Sequence, residues 1–184
     1  YAGHAKTDPR DAWVLADFGR RHLDQLVWLD ICDELLMKLR ILNGRDVDLA
    51  EDANRIINRC RDALVSVSPA LERVLGSQLT AGGVRDLLTT CPTPTALQQA
   101  GDTISELIAA RSPRLAKRLP GAIAKALHAQ SLTLPGEDTW GEVIVGLVAD
   151  LERVIAQRQQ LAVQIEETFL AHPLGAVLVT LCGF

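Results

Sequence analysis

The sequence predicts a mainly α-helical chain: a long antiparallel coiled-coil hairpin with a small helical insert between its two arms. Three observations predict it. Two segments, about 35–67 and 138–171, carry apolar residues at close to 4-3 spacing, the pattern of a helix with one buried stripe. Proline and glycine break the segment between them at short intervals. Hydrophobic residues make up 48% of the 184 residues but aromatics only 4%, so Leu, Val, Ile and Ala must form the core. That composition suits packed helices better than a sheet sandwich.

A first helix opens in "KTDPRDAWVLADFGRR". Asp8 suits the N-cap, Pro9 the N1 position and Asp11 the N3 position. Ala12, Trp13, Leu15, Ala16 and Phe18 form its apolar body, and Gly19, Arg20 and Arg21 mark its end. "HLDQLVWL" follows as an extended segment, with a linker at 23–29. The first long stripe runs through Leu35, Leu39, Leu42, Leu49, Ala53, Ile56, Cys60, Ala63 and Val67. Asp46 is its one polar break, and Asn43 and Gly44 weaken the helix enough to predict a kink. Ser68 and Pro69 stop it.

Short helices are predicted at 70–75, 84–89, 95–100 and 103–110. "CPTPTALQQAG" reads as a turn, a cap and a short helix closed by Gly101. Pro113 opens a further helix to about residue 130, kinked or split at Pro120. "LTLPGEDTW" is a break. The second long helix carries Ile144, Val148, Leu151, Ile155, Ala162, Ile165 and Phe169, widened by Leu147, Val154 and Leu161. Arg158 interrupts this seam and is expected to snorkel. His172 and Pro173 close that helix; His22, His128 and His172 read as ordinary helix-end or surface residues, and Trp28 and Trp140, which precede the two long helices, as caps of the hairpin ends.

The remaining features exclude more than they assign. Net charge is −4, so no global field attracts nucleic acid. The four cysteines, Cys32, Cys60, Cys91 and Cys182, form no C-x-x-C pair and read as reduced core residues of a cytoplasmic protein. No apolar run is long enough to cross a bilayer. "GSQLTAGGV" lacks the lysine and spacing of a phosphate loop. Ser66, Ser68 and Ser77 have no His or acidic neighbour to suggest a nucleophile.

Asp8 and Asp11 are the one pair that points to chemistry. Three residues apart on a helix, they share a face, with Cβ atoms roughly 5–6 Å apart. Mg²⁺ takes hard oxygen ligands and is usually held by one or two carboxylates plus water and phosphate oxygens. The helix macrodipole favours negative charge at this end. The same pair also serves a purely structural role, as a cap and an acidic first-turn residue.

The order of residues bears on that choice. "KTDPRDAWVLA" resembles the K-[ST]-D-x-x-D-A-x-x-[IL]-A block of the DEDD-type transposases of bacterial insertion sequences, the one-ten family. "LRILNGRDVDLAEDANRIINRCR" is similar to that family's arginine-spaced helix, "CPTPTALQQAG" to its T-P-x-A-L block and "LTLPGED" to its V-P-G-E turn. "AHPLGAVLVTLCGF" resembles the lead-in to its C-terminal domain. Two stretches depart from the pattern. "HLDQL" stands where the family has D-L-R-P-L, and Cys182 stands where it has proline.

The resemblance implies a domain plan. Residues 1–22 would end an RNase H-like (RuvC-like) catalytic domain, 30–172 would form the coiled-coil domain with its insert at about 69–134, and 173–184 would begin a transposase domain. It implies that Asp8 and Asp11 are catalytic ligands of Mg²⁺, shared with carboxylates outside this chain. It implies DNA as partner, in some members an element-encoded guide RNA, and self-association through the coiled coil, in the bacterial cytoplasm at the nucleoid. Lys6, Arg40, Arg45, Arg55, Arg59, Arg61, Arg114, Lys117 and Arg118 are the basic residues suited to nucleic acid. They also fit solvation of a helix face interleaved with Asp46, Asp48, Glu51, Asp52 and Asp62. The chain is expected to be an internal piece that does no chemistry alone. The alternative is a non-enzymatic dimerisation module that pairs through the two long stripes. A helical DNA-binding regulator is a third option, which the acidic balance and the lack of a clear helix-turn-helix disfavour.

Overall fold

Two helices of nearly equal length frame the molecule: α2 (Glu34–Val67) and α9 (Glu137–Ala171). The computed structural model describes residues 8–24, 33–129 and 135–180. The expectations for Lys6, Trp28, Cys32 and Cys182, and for most of the 23–29 linker, lie outside those residues. Helix α1 (Asp8–Arg21) precedes the frame, and α10 (Gly175–Val179) follows it. Between the long helices lie α3 (Pro69–Leu75), α4 (Gly82–Thr90), α5 (Pro94–Ala100), α6 (Thr103–Arg111), α7 (Pro113–Ala116) and α8 (Leu119–Ala129). There is no strand among the described residues.

Local chemistry sets the ends of these helices. Asp33 caps α2: its carboxylate accepts from the Leu35 and Leu36 amides at 2.8 and 3.2 Å. Ser68 ends α2 in extended backbone and caps α3, where Pro69 takes the first turn. Thr93 caps α5 in the same way, accepting from Ala96 N at 3.1 Å. Gly101 closes α5 with φ of +51°, a conformation that L side chains rarely adopt. The helix opened by Pro113 splits at Lys117 and Arg118, and Pro120 falls in the first turn of α8.

Asn43 and Gly44 do not interrupt α2, which runs on as one helix because packing against α9 outweighs the propensity cost of two residues. Asp8 is the first residue of α1 rather than its cap, one position from expectation.

The long helices pack antiparallel. Leu49 meets Val154 and Leu161 in one buried cluster, flanked by Leu42, Ala53, Ile56 and Ile165. Asp46, the polar break in one stripe, meets Arg158, the interruption in the other. The guanidinium donates from Nε and Nη2 to the two carboxylate oxygens at 2.8 and 2.9 Å. Arg158 therefore closes a forked ion pair across the seam instead of snorkelling. At the open end of the hairpin, His172 is buried and its Nε2 lies 3.1 Å from Asp33. Its Nδ1 accepts from the Leu174 amide at 3.1 Å, so the neutral ring donates from Nε2 to Asp33. His172 is thus an interior bridge between α9 and the cap of α2, not an ordinary terminal residue.

The predicted seam of α9 also shifts. Ile144, Leu147, Val148, Leu151, Val154 and Leu161 are buried, whereas Ile155 and Phe169 are half-buried and Ala162 is exposed. The buried positions Leu147, Val154, Leu161 and Thr168 recur every seven residues.

The insert folds onto the closed end. Leu71, Leu75, Leu79, Leu87, Leu88 and Ile108 are all but fully buried, in one cluster with Cys60 of α2 and Ile144 and Val148 of α9. Cys60 and Cys91 are both free and buried. A charged network clamps this cluster to α9. Buried Arg85 donates to Glu152 at 2.7 Å and to the carbonyls of Leu79 and Thr80. Arg111 bridges Glu152 at 2.7 Å and Asp86 at 3.0 Å. Gly83 lets α4 cross close to α6, where a Cβ would collide with the carbonyl of Ile108.

Three interface acids titrate below their ordinary values. The Leu36 amide holds Asp33 down, and the Arg158 hydrogen bond holds Asp46 down. Burial raises Glu152, but hydrogen bonds from Arg111 and Arg85 outweigh it. Each depressed acid contributes stability that is present above its unfolded pKa and lost as pH falls through its folded pKa. The contribution of these three acids to the unfolding free energy should therefore be lost below about pH 4. Asp46→Asn should shrink that loss. Urea denaturation across pH checks it, and an unchanged acid slope in the variant would contradict the assignment.

Candidate functional site

Helix α1 presents Asp8, Asp11, Leu15, Phe18 and His22 at spacings of three and four residues, which places them on one face. Asp8 is exposed and Asp11 half-buried. Neither carboxylate has a hydrogen-bond or ion-pair partner among the described residues. Since α1 already includes Asp8, its side chain is not committed to capping. Leu15 and Phe18, 71% and 53% exposed, extend the same face as an apolar surface. Phe18 stacks on His22 with ring centroids 4.4 Å apart.

The back of the helix holds an acid the sequence analysis passed over. Asp17 is buried and pairs with Arg20 at 3.2 Å and Arg21 at 3.0 Å. Its i+3 and i+4 arginine partners are the signal that could have found it. The two basic residues that mark the helix end thus serve an internal carboxylate.

The Asp8–Asp11 pair offers two hard oxygen donors, the ligand type that magnesium takes. Among the described residues, no group of three or more His, Cys, Asp or Glu stands close enough to hold a metal ion. Any further ligands must come from outside them.

The basic residues divide into two groups. Arg55 pairs with Asp52 at 2.6 Å and Glu51 at 3.5 Å, and Arg61 with Glu72 at 2.7 Å. Those two are neutralised within the chain. Arg40, Arg45, Arg59, Arg114, Lys117 and Arg118 are exposed and have no ion-pair partner among the described residues. Arg45, Asp52 and Arg59 recur every seven residues on α2. Because Arg55 occupies Asp52, the acid between the two free arginines is already countered. Arg114 lies in α7, and Lys117 and Arg118 form the turn before α8.

A family model described as transposase, for the DEDD-type IS110 proteins, matches residues 1–69, the segment that contains Asp8, Asp11 and all of α2. The 43.6 kDa protein of insertion element IS110 from Streptomyces coelicolor is 41% identical to the chain across all 184 residues. The chain is thus similar to proteins of this family along its whole length. It is also 32% identical over 184 residues to the 44.8 kDa protein of insertion element IS116 from Streptomyces clavuligerus. A third relative, the 42 kDa protein of insertion element IS900 from Mycobacterium paratuberculosis, is 29% identical over 185 residues. The chain spans 45–46% of the length of these relatives. No solved structure matches it. No helix among the described residues is long and apolar enough to cross a membrane.

Proposed function

We propose that the full-length protein is an insertion-sequence transposase, and that this chain contributes half of its divalent-metal site and the helical frame between its catalytic parts. The observation that carries the reading is the pair of uncommitted carboxylates, Asp8 and Asp11, in the segment matched by the transposase family. Support also comes from the likeness to insertion-element proteins along the whole chain.

Asp8 and Asp11 would hold Mg²⁺ together with carboxylates of a RuvC-like domain. When bound, the ion supplies Lewis acidity for in-line phosphoryl transfer. The chain's own residues do the rest of the work. The two aspartates present anionic oxygens from one helical turn. Leu15 and Phe18 seat the same face against the catalytic domain and so fix where those oxygens point. Among its described residues the segment has no complete ligand set, and isolated it would be inactive.

The unpaired basic residues Arg40, Arg45, Arg59, Arg114, Lys117 and Arg118 would meet DNA, and an element-encoded guide RNA where one is used, through the phosphate backbone. The protein would work in the bacterial cytoplasm on nucleoid DNA and would self-associate through the helical hairpin.

Two experiments test the reading. Asp8→Asn and Asp11→Asn in the full-length protein should each reduce strand exchange to background while leaving circular dichroism and oligomeric state unchanged. Normal recombination by either variant removes the catalytic assignment. Removing Arg114 or Lys117 should lower the log–log salt slope of duplex binding by about 0.9 each. Arg55→Ala and Arg61→Ala, already neutralised, should leave the slope nearly unchanged; equal effects from all four would contradict the division.

A further inference from the structure

The exit of the hairpin is wired more tightly than a helix end requires. His172 N donates to the carbonyl of Phe169 at 3.2 Å, and Gly175 N donates to the carbonyl of His172 at 2.8 Å. The turn is so close that a Cβ on Gly175 would collide with the Phe169 carbonyl. The His172 side chain is buried beside this turn, and both of its ring nitrogens are committed. Nδ1 accepts from the amide of Leu174, the residue that leads into α10. Nε2 donates to Oδ2 of Asp33. The other oxygen of that carboxylate, Oδ1, accepts from the Leu35 and Leu36 amides and so starts α2.

We infer that His172 is a positioning residue, whose ring fixes the direction in which the chain leaves α9 relative to the direction in which it enters α2. This rests on the transposase reading above, in which the hairpin stands between catalytic parts. An apolar side chain would fill the same space without needing partners, whereas a buried imidazole is costly unless its nitrogens are hydrogen-bonded. Here the two bonds join an amide of the exit turn to the carboxylate that caps the entry helix. The wiring admits one arrangement. Leu174 requires a lone pair at Nδ1, which puts the proton on Nε2 and demands an acceptor from residue 33.

That demand makes the latch separable from the helix cap. In Asp33→Asn the remaining oxygen still accepts from Leu35 and Leu36, but an amide NH₂ replaces Oδ2 and meets the Nε2 proton, donor against donor. Adding His172→Gln repairs the contact, because a side-chain amide has no fixed tautomer and turns its oxygen toward the new donor.

Spin labels on the full-length protein at the exposed positions Met37, in α2, and Val177, in α10, read the joint directly. A single narrow distance distribution is expected for the unaltered latch, a broad one with Asp33→Asn, and a narrow one again with Asp33→Asn and His172→Gln together. Strand exchange should follow the same course, falling at least about tenfold with Asp33→Asn and returning to within about threefold with the pair, since small misplacements of reacting parts cost rate steeply. A distribution that stays narrow with Asp33→Asn, one that the second substitution fails to restore, or strand exchange that ignores the change would each overturn the inference. A distribution that broadens and recovers, in a protein that performs no strand exchange at all, would support the latch and overturn the transposase reading instead.

Discussion

The forked pair between Asp46 and Arg158 sets the register of the hairpin. Apolar stripes alone tolerate slippage by a heptad, since one Leu is much like the next. A slip of seven residues would put Arg158 opposite Leu39 or Ala53 and strand Asp46 against an apolar residue. Both side chains keep partial contact with water, so the pair adds only modest stability. Its larger effect is to penalise every wrong alignment.

With register set, the rest of the frame follows. The antiparallel arms bring Asp33 and His172 together, so the chain enters and leaves the hairpin at one end. The insert sits at the other end, held to α9 by Arg85, Glu152 and Arg111. An enzyme whose catalytic parts flank such a hairpin would have them delivered to the same side. Asp8 and Asp11 lie before one arm, and α10 follows the other.

Much of this was legible because helical periodicity and capping are local. The stripes located both long helices, and Ser68, Thr93, Gly101 and Pro113 placed the breaks of the insert nearly to the residue. The Asp8–Asp11 pair was legible as a spacing and as part of a family pattern. What stayed hidden depends on partners far apart in sequence. Asp46 and Arg158 each looked like a defect in its own stripe, and only the pairing of the two helices makes them one feature. His172 looked terminal because nothing nearby in sequence announces Asp33. Arg55 and Arg61 looked like Arg45 and Arg59, since exposure and ion pairing are decided by side-chain reach and by α3.

The central claim is that α2 and α9 of one chain pair antiparallel in the register set by Asp46 and Arg158. Spin labels at the exposed positions Ile41, Val143 and Val163, diluted with unlabelled protein, read this directly. The register places Ile41 beside Val163, one interhelical spacing away, and about 30 Å along the hairpin from Val143. A short 41–163 distance and a long 41–143 distance are predicted. A short 41–143 distance, or a 41–163 signal that vanishes on dilution, would contradict the account.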